Sequence, residues 1–437
     1  MFDYDVAVVG GGPAGSSAAT ILARAGRQVV LFERDRFPRF HIGESLLASV
    51  NEAFDALGVA EKVRAMGFPE KWGATFATGD GAVELYAAFA LDTAGVPQPQ
   101  TWQVERSRFD DLLLDHAAEQ GVDVMQGHRV LDTLFDADSV TVEIGEPDAG
   151  RRRVVRVKAL VDASGRAGLL ARKFSLRVEE PGLANIGIFS HYANVPRPPG
   201  RRAGDIRVIA RDDLGWFWLI PISDTLTSVG VVLPRAVFDR WPRMSHEAVL
   251  THAIADTPAV AALLKDARRE WPVRVEKDFS YAARRYAGDR WVLAGDAGSF
   301  LDPVFSTGVA IALESGVEAG RALDAALAAN DFSSLRFHEF NGRQRARYRA
   351  FRRFVTGFYT RNFRDLFFQP DPPAHMFSAV VRLLAGYWSP GWRDRVALEL
   401  FYATVKLQRY VALASPVPGV GSAPRVEVAS VSAPASS

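Results

Sequence analysis

Three glycines placed directly after a short apolar run constrain the fold of this chain more than any other sequence feature. Residues 6–9 read VAVV, a run of strand length, and Gly10, Gly12 and Gly15 follow in the spacing G-x-G-x-x-G. In a strand–turn–helix unit the first glycine permits a tight turn and the second lets backbone approach a pyrophosphate. The third lets the helix lie close to the strand. The spacing therefore predicts a strand, a phosphate-binding turn and a helix.

The residues after the glycines continue the same unit. The predicted helix covers residues 13–25, and its first N–H groups and positive end would face the phosphates, next to Pro13 and Ala14. A second apolar run, residues 28–32, ends at Glu33. An acid at this distance from the glycines is where such units bind a ribose hydroxyl. Strand, helix, strand and acid together predict a dinucleotide-binding unit.

Composition narrows the class of protein. The 437 residues are 48% hydrophobic, enough for two or three domains or one large interlocked unit. The 52 basic and 51 acidic residues nearly cancel, so the charge balance indicates neither nucleic-acid nor membrane binding. The chain has no cysteine, which excludes disulfides, thiolate catalysis and iron–sulfur clusters. We expect a cytoplasmic protein, because the first strand begins almost at once and no apolar run has membrane-spanning length. We also expect no metal site.

Two polar features follow the first unit. Residues 34–45, RDRFPRFHIGES, are expected to lead into a helix that begins near Ser45, with Glu44 beside its positive end. Lys71 stands where a short helix gives way to an extended segment. Taken alone, the first feature is an ordinary capped helix start and the lysine is solvated surface.

Two later stretches suggest a pocket. Along a strand alternate side chains share a face, so the indoles of Trp216 and Trp218 in GWFWLIP point the same way and form core or pocket wall. Further on, a turn of Ser306, Thr307 and Gly308 opens a long helix. Its first N–H groups form an anion site over which a flavin ring or a small halide fits.

The separated motifs, taken in order, resemble the flavoprotein monooxygenase fold of the p-hydroxybenzoate hydroxylase type. The motifs are the glycine fingerprint, Glu33, the helix start at Arg106, the turn at Asp162 and Ala163, and the pair Gly295 and Asp296. The resemblance covers about residues 1–330 and implies FAD. In such proteins Gly295 and Asp296 would lie beside the ribityl chain and pyrophosphate, and Arg106 near the flavin.

This resemblance implies an α/β fold in which a Rossmann-type FAD-binding domain is interleaved with a mixed β-sheet substrate domain and followed by a C-terminal helical region. The expected segments are 1–70, 106–183 and 285–330 for the FAD-binding domain, 71–105 and 184–284 for the sheet, 331–412 for the helices and 413–437 for a flexible tail.

A finer resemblance is to flavin-dependent halogenases, above all those that act on carrier-bound pyrrole or phenol rings. Residues 39–46 resemble their flavin-contacting segment, residues 216–221 fit W-x-W-x-I-P, and residues 300–308 fit F-x-x-P-x-x-S-x-G. Lys71, followed by Trp-Gly-Ala, stands where their active-site lysine stands. The flavin contacts that this resemblance implies, beyond those named above, are Arg34, Arg39, Ile42, Gly43, Glu44, Ser45, Pro303, Gly308 and Val309.

The resemblance also implies a reaction. Reduced FAD from a separate flavin reductase reacts with O2 to form a flavin hydroperoxide, and chloride or bromide held near Thr307 and Gly308 converts it to hypohalous acid. Lys71 would hydrogen-bond that acid or form a chloramine with it, and so present electrophilic halogen to an electron-rich ring. Trp216 and Trp218 would separate the flavin from the lysine. The resemblance implies that these two tryptophans, Lys71 and Ser306 are the catalytic residues. The acidic partner that the lysine has in free-tryptophan members is not identified.

Other readings remain open. A single-component aromatic hydroxylase would share the fold and use NAD(P)H without halide, and a reductase of the prenyl-reductase type would work without oxygen. The chain could also bind FAD without turnover, as a partner in a biosynthetic complex. If the chain is a halogenase, its substrate is a pyrrole, a phenol or another activated ring. The sequence fits both a free substrate and one tethered to an acyl or peptidyl carrier protein.

Overall fold

Two large β-sheets organise the chain in the computed structural model, which describes residues 1–90, 98–146, 150–369 and 374–419. The strands are β1 Tyr4–Val9, β2 Val29–Glu33, β3 Glu70–Lys71, β4 Gly73–Ala77, β5 Glu84–Ala88, β6 Thr101–Trp102, β7 Asp123–Gln126, β8 Arg129–Phe135, β9 Val140–Glu146, β10 Arg151–Asp162, β11 Arg177–Ala193, β12 Ile206–Ala210, β13 Trp216–Pro221, β14 Leu226–Pro234, β15 Arg268–Arg269, β16 Arg274–Ala283, β17 Ala287–Gly288, β18 Trp291–Leu293 and β19 Ser299–Phe300. The helices are α1 Pro13–Arg24, α2 Val50–Leu57, α3 Ala60–Ala65, α4 Arg106–Glu119, α5 Leu169–Lys173, α6 Arg235–Phe238, α7 His246–Ala255, α8 Pro258–Leu263, α9 Thr307–Ala329, α10 His338–Phe358, α11 Arg361–Phe367, α12 Ala374–Leu384 and α13 Trp392–Leu407. The predicted α/β fold with C-terminal helices is confirmed.

The first sheet carries the dinucleotide unit. Its strand order is β17-β18-β10-β1-β2-β7, and β1 lies parallel to both β2 and β10. The four residues 6–9 are buried, as expected for a central parallel strand with helices on its faces. Helix α1 starts at Pro13 directly after the turn.

The turn between β1 and α1 has no room for larger residues. Gly10 has a φ of +102°, and a Cβ there would lie 2.3 Å from the Ala163 carbonyl oxygen. A Cβ on Gly15 would lie 1.8 Å from the Gly10 carbonyl oxygen. The close helix–strand approach explains why glycine occupies both positions.

The second sheet has the order β19-β16-β11-β14-β13-β12-β4-β5, with β15 on the side of β11. One face packs against α7 and α8, and the other against aromatic side chains of the C-terminal helices. Strand β11 has 17 residues and begins at Arg177, which lies inside the segment 106–183 that was expected to belong to the FAD-binding domain. The strand extends this far because its pairing with β16 continues on both sides of an irregularity at Glu179. Strand β19 likewise joins the second sheet from within the segment 285–330.

The helix expected near Ser45 is wrong, since α2 begins only at Val50. Ser45 instead forms an antiparallel bridge with Gln103. The Leu46 N–H donates to the Trp102 carbonyl at 3.1 Å, and the Val104 N–H donates to the Glu44 carbonyl at 2.7 Å. Pairing with a distant strand therefore replaces the local capping pattern.

The C-terminal helices cover the aromatic face of the second sheet. The fully buried Arg364 guanidinium joins the two parts by donating to the carbonyls of Phe358, Arg211 and Leu214 at 2.7 to 3.0 Å. None of the helices in the described ranges is long and apolar enough to cross a membrane.

The first residues of segment 413–437, which is predicted to be a flexible tail, are held against the rest of the fold. Val417 is buried, its N–H donates to the Asp365 carboxylate at 2.8 Å, and its carbonyl accepts from Arg361 at 2.8 Å. These bonds hold the first residues of that segment against α11. Residues 420–437 of the predicted tail lie outside the described residues.

The contact between α1 and α9 yields a prediction about stability. A Cβ on Gly316 in α9 would lie 2.3 Å from the Ala14 carbonyl oxygen, whereas a Cβ on Gly342 in α10 meets nothing within 4 Å. We expect Gly316→Ala to lower the free energy of unfolding by about 1–3 kcal/mol through overpacking. Gly342→Ala should raise it by up to about 1 kcal/mol through helix propensity. Chemical denaturation of both variants checks this, and equal effects would contradict the close helix contact.

Candidate functional site

A cavity of about 890 Å³ lies between the two sheets. Its volume is within the range of small-molecule and cofactor sites. The residues predicted from the sequence that line it are Gly10, Gly12, Pro13, Ala14, Glu33, Arg34, Arg39, Ile42, Gly43, Glu44, Ser45, Arg106, Ala163, Trp216, Trp218, Asp296, Pro303, Ser306, Gly308 and Val309. One end of the cavity is thus made by the glycine turn and the other by the paired tryptophans.

Five predicted residues do not line the cavity but lie behind its wall: Gly15, Lys71, Asp162, Gly295 and Thr307. The Asp162 carboxylate accepts the N–H groups of Ser164 and Leu170 at 3.0 and 2.7 Å, and so holds the turn that follows β10. The Gly295 N–H donates to the Ser315 hydroxyl at 2.8 Å. Asp162 and Gly295 therefore shape the wall rather than face the cavity.

The nucleotide end of the cavity fits the ADP half of FAD. No side chain caps the N-terminus of α1, so its first N–H groups are available to phosphate. The Arg39 Nη1, 3.4 Å from Asp110, is buried and has no hydrogen-bond partner among the described residues. Glu33 accepts the Gly11 N–H at 2.7 Å and keeps further acceptor positions for a ribose. A guanidinium nitrogen that is ion-paired but open to a further hydrogen bond, free N–H groups and a carboxylate suit pyrophosphate and ribose.

Arg106 holds the segment 42–45, which lines the cavity. Its Nε and Nη2 donate to the Asp110 carboxylate at 2.7 and 2.8 Å, and its Nη1 donates to the Ile42 carbonyl at 2.7 Å. Burial, aided by the positive Arg106, lowers the pKa of His41 to about 4, so this imidazole is neutral. The segment from Ile42 to Ser45 is therefore fixed against the cavity by one buried cation.

Asp296 supplies an acid on the opposite wall. Burial raises the pKa of its carboxyl to about 6, while Arg166 and Arg106 oppose the shift. A carboxyl of this kind accepts or donates a hydrogen bond to a hydroxyl-rich chain such as ribityl. Across the described part of the chain, no group of three or more His, Asp or Glu side chains is arranged to hold a metal ion.

The start of α9 offers an anion position. Ser306 precedes it with a φ of +58°, and no side chain caps the helix. The Thr307 hydroxyl is buried without a hydrogen-bond partner in the described ranges. Gly308 lines the cavity, and a Cβ on it would meet nothing within 4 Å. This arrangement suits a small anion such as a halide.

Lys71 lies directly behind Ser45. Its Nζ is buried, donates to the Ser45 hydroxyl at 2.8 Å and the Leu46 carbonyl at 2.7 Å, and lies 5.5 Å from the centroid of the Phe89 ring. Burial lowers the pKa of this amine to about 7, and the Asp205 carboxylate opposes the shift. A lysine of this pKa is partly neutral at physiological pH.

Asp205 is a residue that sequence reasoning missed. Its carboxylate accepts the N–H groups of Trp72 and Gly73 at 2.7 and 2.9 Å and the Tyr86 hydroxyl at 2.8 Å. It therefore fixes the backbone directly after Lys71 and is the acid that acts on its charge. No motif marks this aspartate, because only the parallel pairing of β4 with β12 brings it to the lysine.

The two tryptophans are held by different partners. Their ring centroids lie 5.9 Å apart, and the Trp218 indole donates to the Ser228 hydroxyl at 3.1 Å. The Trp216 indole donates to the Tyr359 hydroxyl at 2.7 Å, which donates in turn to the Asp302 carboxylate at 2.7 Å. Tyr359 and Asp302 were not predicted, since they come from the end of α10 and the loop before α9.

The side chain of Glu44 has a partner that the sequence did not predict. The His191 Nε2 lies 3.1 Å from a Glu44 carboxylate oxygen, and both side chains are buried. The imidazole packs on Trp271 with ring centroids 4.3 Å apart. A histidine on a long strand such as β11 gives no sequence signal of this contact.

The sequence has close relatives of known activity. Residues 3–345 match the family described as FAD binding domain. A chlorinase of the 1H-pyrrole-2-carbonyl peptidyl-carrier protein from Pseudomonas fluorescens is 33% identical over 406 residues, which cover 88% of this chain and 89% of that protein. A brominase of the same carrier-bound group from Pseudoalteromonas luteoviolacea is 34% identical over 76% of this chain and 80% of its own length.

Solved structures agree with the sequence relatives. The flavin-dependent brominase Bmp2 is 30% identical and superposes with a TM-score of 0.82 over 93% of this chain and 100% of that one. The myxobacterial chondrochloren halogenase CndH is 32% identical, with a TM-score of 0.75 over 92% and 97% of the two chains. The residues that line the cavity fit FAD, and the chain belongs to the flavin-dependent halogenases.

Proposed function

We propose that this protein uses reduced FAD and O2 to chlorinate or brominate an electron-rich aromatic ring, such as a pyrrole or phenol, that is bound as a thioester to a carrier protein. The observation that carries this proposal is the buried Lys71 amine, hydrogen-bonded to Ser45 on the wall of the flavin cavity. The two relatives named for carrier-bound pyrrole support the substrate class. A separate flavin reductase would supply the reduced cofactor.

Bound reduced FAD supplies the electrons with which oxygen is activated, so that halide becomes hypohalous acid. The residues of this chain control where that happens. The N–H groups of Thr307 and Gly308 hold the halide, and Trp216 and Trp218 keep the organic ring away from the flavin. Exclusion of water at these walls limits loss of the reactive halogen.

Lys71 then directs the halogen. As an ammonium it donates a hydrogen bond to hypohalous acid. As a neutral amine it forms an N–halogen bond while water leaves, and the ring carbon subsequently takes the halogen and loses a proton. The pKa near 7 makes both forms available. Asp205 limits the shift and orients the adjacent backbone, so it is the acid that we assign as partner of Lys71.

The test is mass spectrometry of product. Wild-type protein with FAD, a flavin reductase, NADH, O2 and chloride or bromide should give a pyrrole-2-carbonyl thioester carrying the halogen isotope pattern. Lys71→Met should keep FAD binding and oxygen consumption and lose halogenated product by at least about 100-fold, a typical loss for a group essential to the chemical step. The control is Lys277→Met, an exposed lysine at the same cavity, which should stay active.

The mass of the product distinguishes a halogenase from a hydroxylase. A product heavier by one oxygen in both salts would make the protein a hydroxylase. Retained halogenation in Lys71→Met would remove the role of the lysine while leaving the proposed reaction intact.

The lowered pKa of Lys71 predicts a pH dependence of stability. The folded state disfavours the charged amine, so its destabilisation is full below about pH 7 and disappears as pH rises toward the ordinary lysine value of 10.5. Between these limits the free energy of unfolding of the wild type should rise relative to Lys71→Met by up to about 1.4 kcal/mol per pH unit. Denaturation at several pH values with saturating FAD measures this, and a constant difference would show that Lys71 does not titrate near 7.

The hydrogen bond from Trp216 to Tyr359 leads to a prediction about the yield of halogenated product. Tyr359→Phe leaves the Trp216 indole without its hydroxyl acceptor, so the wall is less well positioned. We expect product per reduced FAD consumed to fall by about fivefold, equivalent to about 1 kcal/mol, with FAD affinity unchanged. The matched control is Tyr348→Phe, which removes a 3.2 Å bond to Glu180 in the same cluster. Equal losses in both variants would indicate general destabilisation.

A further inference from the structure

An apolar stripe is exposed along the outer face of α13 and the turn after it. We call it the α13 stripe; its residues are Trp392, Val396, Leu400, Leu407, Tyr410 and Val411. The spacing i, i+4, i+8 and i+15 within the helix places the first four on one side. Trp392 is 72% exposed and Leu400 is 55% exposed. The opposite side of α13 is buried, so the stripe is in excess of what the fold needs.

The charges around the stripe are positive. Arg393, Arg395, Lys406 and Arg409 are exposed, and no carboxylate in the described part of the chain lies within ion-pair distance of them. The acids of this helix are already used. Asp394 pairs with Arg382 at 3.1 Å, and Glu399 pairs with the Arg353 guanidinium. The stripe therefore has an uncompensated cationic border.

This combination selects the kind of partner. An apolar stripe at helical spacing fits the apolar face of another helix, and a positive border favours a partner whose flanking residues are acidic. A second copy of this chain would bring two positive borders together, which like-charge repulsion disfavours. An acidic helical protein is the complementary occupant.

The position of α13 relates the stripe to the substrate end of the cavity. Its buried residues Ala397, Leu398 and Phe401 belong to the same aromatic cluster as Trp216 and Trp218. The nucleotide end, by contrast, is built on the first sheet. A protein bound to the stripe lies on the helical layer that backs the tryptophan wall.

From this juxtaposition we propose that the α13 stripe and its four cations dock the acidic, helical carrier protein that bears the aromatic thioester. This inference rests on the proposed function for the identity of the carried group. The docking supplies affinity and orientation, while the halogenation chemistry stays in the cavity.

The experiment compares one acyl group on two carriers. Full-length protein is given pyrrole-2-carbonyl either on a phosphopantetheinylated peptidyl carrier protein or as its N-acetylcysteamine thioester. Leu400→Glu and the pair Arg393→Glu with Arg395→Glu should each lower kcat/KM for the carrier-borne substrate at least about tenfold, as loss of a central contact or reversed charges does. Turnover of the small thioester should stay within about twofold. The controls are Leu335→Glu and Arg240→Glu, at exposed positions outside the stripe.

Binding is measured independently of turnover, by fluorescence anisotropy of labelled carrier protein. The wild type should bind, more weakly as salt is raised, and the stripe variants should lose at least about tenfold in affinity. If neither thioester is halogenated but this binding pattern holds, the docking surface stands and the proposed function fails. Carrier binding and turnover that the variants leave unchanged would overturn the docking proposal.

Two further results would also overturn it. An equal loss of activity on both thioesters would assign the stripe to folding. A wild-type dimer in sedimentation that Leu400→Glu converts to monomer, with carrier turnover unchanged, would make a second copy of the chain the occupant.

Discussion

The close backbone contact at the start of α1 is the constraint on which the rest of the structure depends. The turn after β1 packs against the Ala163 carbonyl, and α9 crosses α1 so closely that Gly316 has no room for a side chain. These contacts align the start of α1 and the start of α9 on one cavity. Two helix N-termini at one cavity present two separate sets of N–H groups, and such groups suit anions.

Burial also changes the properties of the Lys71 amine. Lys71 sits on a two-residue strand, and the surrounding apolar side chains lower the pKa of its amine to about 7. The same lysine at the surface would stay fully charged at neutral pH. The phenylalanines of the C-terminal helices belong to the aromatic cluster that also contains Trp216, Trp218 and Phe89. The Lys71 Nζ lies 5.5 Å from the centroid of the Phe89 ring, so the lysine and the tryptophan wall border the same cluster.

The fold and the cofactor could be predicted from the sequence because the residues that indicate them form short local patterns. The glycine turn, Glu33 and the segment around Glu44 are each readable within a few residues, and the paired tryptophans follow from strand periodicity. The helix expected near Ser45 was wrong because strand pairing with Gln103 overrides a local capping signal. The limits of β11 were missed for a similar reason, since its pairing with β16 continues past a bulge that no local pattern marks.

By itself, the sequence determined the dinucleotide unit, the α/β class and the identity of the motif residues, because these depend on local backbone requirements and on short periodicities. Only the tertiary structure decided which groups act together. Sheet pairing brings Asp205 near enough to Lys71 to act on its charge. His191 reaches Glu44 across the interface of two layers, and Tyr359 and Asp302 hold Trp216 from distant segments. Contacts between residues far apart in the chain depend on how whole elements pack, and that packing also leaves the outer face of α13 apolar and exposed.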